Sequence, residues 1–229
     1  MLGLPDLLCP ERCAGCGRAA RGGLCRTCFD RLERIGPQVC RCCGRPAQRQ
    51  VASCVDCRGR RLHFDLARQA VSFGPVVRTA VHRFKYSGCR SLARPLAELI
   101  GELVPQAGET EAVTWVSPSP DRLRSTGIDH GRVLAGLVAE QLGLPAYPMI
   151  VRVRRTSPQM KLDPKARRTN LAGAFRATIC PPDQVLVVDD VFTTGSTASE
   201  AARALKAAGA TRVVALSAAR SFALAPADL

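Results

Sequence analysis

Hydrophobic positions change their period along this chain, and the change divides it. From about residue 63, short apolar runs alternate with helical periodicities, the pattern of an α/β fold with a largely parallel sheet. Ala70-Val71-Ser72-Phe73 reads as a strand, and Pro75 then opens a helix whose Val76, Val77, Ala80, Val81 and Phe84 recur on one face. A helix is predicted over roughly Ser91 to Val104, a strand over Ala112 to Val116, and an amphipathic helix from His130 to Leu142, closed by Gly143. Val185 to Val188 form a strand buried on both faces, and a helix-forming run follows through Ala208, closed by Gly209.

Residues 1–62 hold too few apolar side chains to fold by burial alone, and cysteine takes their place. Ten of the 12 cysteines precede residue 58, which sets a boundary between a unit at 1–62 and another at 63–229. The pairs Cys13-Ala-Gly-Cys16 and Cys25-Arg-Thr-Cys28 are separated by eight residues, and Cys40-Arg-Cys-Cys43 and Cys54-Val-Asp-Cys57 by ten. Each CxxC turn aims two sulfurs at one point, Gly17 and Gly44 suit the turn, and four thiolates complete a tetrahedral Zn²⁺. Two closed, structural zinc sites are expected, each supplying folding free energy on the order of 10 kcal/mol. Spacing leaves open whether the pairs ligate sequentially or interleave. Four pairs without a βαβ surround argue against a redox CxxC. Cys9 and Cys42 are supernumerary, and Cys89 and Cys180 read as small, partly buried residues.

Met1 to Cys9 place a Pro and an Asp in a short apolar stretch that cannot serve as a signal h-region. No segment approaches the length of a bilayer span. The expectation is a cytoplasmic protein without membrane insertion, in which reduced thiols favour metal over disulfides. The net charge of +14 divides equally, +7 on residues 1–62 and +7 on the rest, so the small unit is far more basic per residue. Such charge attracts phosphates, on nucleic acid or on a small substrate, although arginines solvated at a surface would give the same balance.

The segment Gln184-Val-Leu-Val-Val-Asp-Asp-Val-Phe-Thr-Thr-Gly-Ser-Thr197 carries the chemistry. Its order is strand, acidic pair, loop, helix. The strand delivers Asp189 and Asp190 to the crevice where open α/β sheets bind ligands. Thr193, Thr194, Gly195, Ser196 and Thr197 offer backbone N–H groups and hydroxyls at a helix N-terminus, where donors and dipole both favour a phosphate. Two adjacent carboxylates beside a phosphate need hydroxyl donors or a cation, and a ribose with Mg²⁺ supplies both. No Gly-Lys-Ser/Thr ends the loop, which excludes a Walker site. An ordinary capped strand–turn–helix would call for neither the acidic pair nor four hydroxyls.

The run Val187 to Thr197 resembles the phosphoribosyl pyrophosphate (PRPP) motif of type I phosphoribosyltransferases. With four CxxC pairs in front, the chain resembles the ComF family, zinc-ribbon phosphoribosyltransferase-like proteins associated with DNA uptake in competent bacteria and, in related members, with use of DNA as a nutrient. His82-Arg-Phe-Lys-Tyr-Ser-Gly88, Arg152 to Gln159, Arg167 to Asn170 and Gly173-Ala-Phe175 add to the likeness. The resemblance implies a type I phosphoribosyltransferase-like parallel sheet flanked by helices, behind a double zinc ribbon. It implies that Asp189 and Asp190 hold the ribose hydroxyls, as catalytic and PRPP-binding residues, and that Thr193 to Thr197 hold the 5′-phosphate. Seven Lys and Arg against one acidic residue in 152–168 suit a loop folding over pyrophosphate, a solvated loop or a polynucleotide contact. The chain departs from the family where Pro-x-His-Pro and Arg-Gly-Phe-Asn-Gln are expected, with Ser117-Pro-Ser-Pro120 and Thr126-Gly-Ile-Asp-His130 instead.

Three functions follow as expectations. The first is transfer of a phosphoribosyl group from Mg²⁺·PRPP to an acceptor, with release of pyrophosphate; the acceptor and the oligomeric state are not legible. The second is a basic zinc-ribbon protein that binds single-stranded DNA, with a regulatory or inactive PRPP site. Aromatic content of 4% argues against base-stacking platforms but leaves phosphate contacts open. The third is docking of the ribbons onto a partner, such as a DNA-uptake protein.

Overall fold

The computed structural model describes residues 12–154 and 171–222. Four parallel strands form the central sheet: β1 (Leu66–Ser72), β2 (Ala112–Trp115), β5 (Gln184–Phe192) and β6 (Arg212–Arg220), in the order β1-β6-β5-β2. A two-stranded antiparallel ribbon, β3 (Ile150–Arg152) with β4 (Phe175–Ala177), stands apart from it.

Strand period decides which side chain enters which layer. In β5, Leu186 and Val188 point to one face and Val185 and Val187 to the other, and all four are buried, as a parallel sheet covered on both sides requires. On the first face lie α2 (Pro75–Tyr86), α3 (Ala93–Gly101) and α6 (His130–Leu142), which bring Phe84, Leu96, Ile100, Leu134 and Val138 into one core. On the second lies α7 (Ser196–Ala207), whose Ala198, Ala201, Ala202 and Leu205 recur at helical spacing and are buried. Truncating Leu205 to Ala would cost about 2–5 kcal/mol, since its site is walled by strands that cannot collapse inward.

The predicted helix over 91–104 is divided into a 3₁₀ turn at Arg90–Leu92, α3, and the short α4 (Val104–Ala107). A further helix, α5 (Pro120–Thr126), precedes α6, and α6 ends where Gly143 adopts φ +63°. β1 begins at Leu66, earlier than the apolar run that signalled it. Asp189 and Asp190 lie within β5, which continues to Phe192, rather than after the strand.

The cysteine-rich region is seated on this sheet. Its helix α1 (Arg26–Asp30) places Phe29, with Leu32, in the first core, while Cys40, Cys43 and Cys57 join the second. Burial therefore adds to whatever metal contributes to its folding. Residues 33–35 run along the outer edge of β1: the Ile35 N–H donates to Ala70 O at 2.8 Å and the Ser72 N–H to Glu33 O at 3.0 Å, so this edge strand does not end in open backbone. Ala67 N–H donates to Cys42 O at 2.8 Å. At Gly44, φ +72°, an added Cβ would come 2.8 Å from Ala67 O; only glycine lets the second ribbon approach the sheet so closely.

Candidate functional site

The sulfurs of Cys13, Cys16, Cys25 and Cys28 form one group and those of Cys40, Cys43, Cys54 and Cys57 another, with all ligand atoms of a group within 4.8 Å of one another. The pairs therefore ligate sequentially, which spacing had left open. Four sulfurs at about 2.3 Å from a tetrahedral zinc lie about 3.8 Å apart. Here Cys13 and Cys25 are 3.6 Å apart, Cys16 and Cys25 3.8 Å, Cys43 and Cys54 3.5 Å, and Cys40 and Cys57 4.0 Å. Both groups thus fit Zn²⁺, which closes each site and leaves no open position. Cys42 stands outside the second group, and burial pushes its thiol up. Cys89 is partly buried, whereas Cys180 is exposed rather than packed away as its sequence context suggested. Cys9 lies outside the described residues.

The second centre is at the end of β5. Asp190 is 7% exposed, and its carboxylate is paired with the Lys85 ammonium, which arrives from the last turn of α2. The Asp190 Oδ1 also accepts the Val191 N–H at 2.7 Å, and the Asp189 Oδ1 accepts the Asp190 N–H at 2.9 Å. Burial pushes the Asp189 carboxyl up to about 7, and the neighbouring Asp190 charge adds to the rise. Burial acts in the same direction on Asp190, but Lys85 outweighs it and holds Asp190 below the ordinary carboxylate range. Lys85 thus neutralises one carboxylate of the pair from within the fold.

The loop that follows turns at Gly195, φ +74°, and α7 begins at Ser196. A Cβ at Gly195 would lie 2.6 Å from the Phe192 ring, so both the dihedral and the space require glycine. The Thr194 and Ser196 hydroxyls are 2.8 Å apart, and the Ser199 N–H returns to Gly195 O at 2.8 Å. Thr193 and Thr194 lie in the loop, and Ser196 and Thr197 in the first turn of α7, where backbone N–H groups face outward along the helix axis. The structure brings Asp189, Asp190, Thr193, Thr194, Gly195, Ser196 and Thr197 together at one end of the sheet.

In the 117–130 segment, Asp129 is the N-cap of α6 and accepts the Arg132 N–H at 3.0 Å. It also accepts Trp115 Nε1–H and the Ser117 hydroxyl, each at 3.0 Å. His130 packs edge-to-face on Phe84, with ring centroids 4.9 Å apart. The departures from the expected family pattern are therefore built into the fold. The basic stretch read over 152–168 lies, from residue 155 onward, outside the described residues.

Residue patterns alone did not single out three arginine or lysine contacts. Lys85 was noted only within the likeness of 82–88, and its pairing depends on a helix terminus meeting a strand remote in sequence. Arg60 donates to Thr194 O at 2.9 Å, and Arg220, 2% exposed, donates to Cys43 O at 2.6 Å. No local periodicity marks either one; an arginine directly after the apolar run of β6 is the one available signal.

The described residues thus combine two four-cysteine groups seated on a parallel sheet with an acidic pair and a hydroxyl-rich turn at the end of one strand. Residues 4–58 match the double zinc ribbon domain. The DNA utilization protein YhgH of Salmonella typhi is 30% identical over 205 residues, covering 83% of this chain and 87% of that protein. Competence protein F of Haemophilus influenzae is 29% identical over 208 residues, 86% of this chain and 90% of that one. A solved B. subtilis glutamine PRPP amidotransferase, complexed with ADP and GMP, matches 55% of this chain and 26% of its own at 24% identity and a TM-score of 0.35. The chain belongs to the ComF family, that of competence protein F and DNA utilization protein YhgH. No helix among the described residues is long and apolar enough to cross a membrane.

Proposed function

We propose that this protein binds PRPP between the acidic pair and the 193–197 turn and transfers its phosphoribosyl group to an acceptor, in the cytoplasm and in connection with DNA uptake. The supporting observation is the juxtaposition at one strand end of a lysine-neutralised Asp190, an Asp189 lifted by burial, and the N-terminus of α7. In this reading residues 1–62 form the zinc-ribbon unit and 63–229 the transferase-like unit.

Ribose O2 and O3 hydroxyls donate to Asp189 and Asp190, and the 5′-phosphate accepts from the backbone N–H groups and hydroxyls of Thr193 to Thr197. Held in this way, the ribose presents C1 to an acceptor, whose lone pair forms the new bond as the C1–O bond breaks and its electrons leave with pyrophosphate. The carboxylates of Asp189 and Asp190 would suit a Mg²⁺ ion brought in with PRPP, which would supply neutralisation of charge on the departing pyrophosphate. Asp190, already held charged by Lys85, keeps the ribose oriented through the step.

Pyrophosphate release from PRPP, measured across a panel of nucleobases, amines and nucleic acids, tests the proposal. Release that depends on one acceptor supports transfer, and no release from any of them contradicts it.

A second reading has its own observation. Arg90, Arg94 and Arg132, with Ala93, Val133 and Leu137, line an open groove of about 550 Å³ between the 90–101 region and α6. Together with the +14 net charge, this basic surface suits single-stranded DNA bound through its phosphates. Binding of an oligonucleotide that weakens steeply with salt, and falls in the Arg94→Glu variant, supports it; salt-independent binding contradicts it.

A further inference from the structure

We propose that the second ribbon is a working part of the phosphate site, with Arg60 and Arg220 as positioning residues for the 193–197 turn. The inference rests on the PRPP reading only for the identity of the ligand. Its basis is a continuous set of contacts from the ribbon to Gly195.

Arg220 ends β6 in register with Phe192, the last residue of β5. Its guanidinium donates to Cys43 O at 2.6 Å and to Gln69 Oε1 at 3.0 Å, and lies 3.7 Å from the Asp56 carboxylate. Cys43 and Asp56 belong to the second ribbon, so the arginine is fixed from that side. The same guanidinium lies over the Phe192 ring, 5.0 Å from its centroid. Beside the main-chain pairing of β6 with β5, the side chain meets β5 through this stacking, and among the described residues its Nε has no hydrogen-bond partner. Phe64 abuts the ring at 6.0 Å in an edge arrangement. Phe192 in turn fills the space in which a Cβ at Gly195 would stand, so the ring sets the floor of the turn.

Arg60 fixes the other side. It donates to Asp56 O at 3.1 Å and to Thr194 O at 2.9 Å. In a trans peptide the carbonyl and the following N–H point in opposite directions. Holding Thr194 O toward the ribbon therefore turns the Gly195 N–H away from it, toward the face where a phosphate is received. An arginine on the carbonyl also polarises that peptide, which strengthens its N–H as a donor. Neither arginine touches the ligand; both act through the backbone of the turn.

The test uses full-length, zinc-replete protein and the variants Arg60→Ala, Arg60→Lys and Arg220→Lys. Amide hydrogen exchange is followed in ligand-free protein for peptides covering 192–197 and 40–57, beside zinc content and calorimetric affinity for Mg²⁺·PRPP. Arg60→Ala is expected to exchange about fivefold faster at 192–197, with a smaller change at 40–57, where it also loses the Asp56 contact. Its affinity is expected to fall about tenfold, with zinc content unchanged, as for one lost charged hydrogen bond. Arg60→Lys, which keeps a charged donor, recovers part of the affinity, and Arg220→Lys, which also loses its contacts to Cys43, is expected to loosen 192–197 and 40–57 together and to lower affinity likewise. Unchanged exchange at 192–197 overturns the proposal, as does faster exchange with unchanged affinity, or, in Arg60→Ala, loosening of 40–57 to the same degree as 192–197. If the unsubstituted protein does not bind PRPP, the proposed function falls, and exchange at 192–197 alone decides the role of the arginines.

Discussion

The Lys85 ammonium reaches from the end of α2 to the carboxylate of Asp190, a residue 105 positions further along the chain, and neutralises it inside the fold. Without that pairing two adjacent carboxylates would share one buried site. With it, their protonation separates: Asp190 stays charged, and Asp189 titrates near neutrality.

Replacing Lys85 by Met leaves Asp190 buried without its cation. Loss of one partner of such a pair costs about 3 kcal/mol, and less where the acid can take up a proton. Asp190 is held below the ordinary range in the native protein, so the pair's contribution is present above the unfolded value near 4 and lost as pH falls through the native one. Urea unfolding should show a large deficit in Lys85→Met at pH 8, shrinking as pH falls below about 4, where the pair's contribution is lost.

Asp189 carries the opposite sign. Its native pKa, about 7, stands above its unfolded value, so the folded state holds the extra proton between roughly pH 4 and 7. Its contribution to stability is complete below that window and is lost as pH rises through about 7. Ligand binding runs the other way, because ribose hydroxyls donate best to the charged form. Affinity for Mg²⁺·PRPP should therefore climb between pH 6 and 8, and the climb should disappear in Asp189→Asn; calorimetry at a series of pH values checks both.

At Gly195 an alanine meets two penalties, a left-handed dihedral and a Cβ 2.6 Å from the Phe192 ring. The dihedral alone costs of order 1–3 kcal/mol. Thermal unfolding of Gly195→Ala should show that loss, and any relief obtained by shifting the turn should appear as weakened phosphate binding. The double variant Phe192→Ala, Gly195→Ala should recover none of the strain from the dihedral while removing the clash.

Two zinc ions per chain should be released on denaturation with a chromogenic chelator present, one for each four-cysteine group. Cys57→Ser removes a ligand from the group that also belongs to the second core, so it should lower the melting temperature of the whole chain. Cys16→Ser, at an exposed ligand of the first group, should lower it less. Differential scanning calorimetry with zinc analysis distinguishes the two.

Much of this molecule could be read from local pattern. The α2 face, α6 with its Gly143 stop, the strand–acid–loop–helix of 184–208 and both sets of CxxC pairs announce themselves because each is made by residues a few positions apart. β6 was not read, although it lies between β1 and β5, since an unbroken apolar run carries no period and its Arg220 speaks against burial. The pairing of Arg220 with Cys43 and of Lys85 with Asp190 joins residues far apart in the chain, and only the fold brings them together. The seating of the ribbon on β1 through Gly44 was hidden for the same reason; the glycine was legible as a turn, but not its approach to Ala67.

Calorimetric titration of the zinc-replete protein with PRPP and Mg²⁺, beside the Asp189→Asn, Asp190→Asn double variant, tests the sugar-phosphate site most directly. Saturable binding that the double variant loses, while keeping its zinc and its melting transition, is the expected result. Binding absent from the unsubstituted protein, or equal in both, would contradict a PRPP site at this strand end.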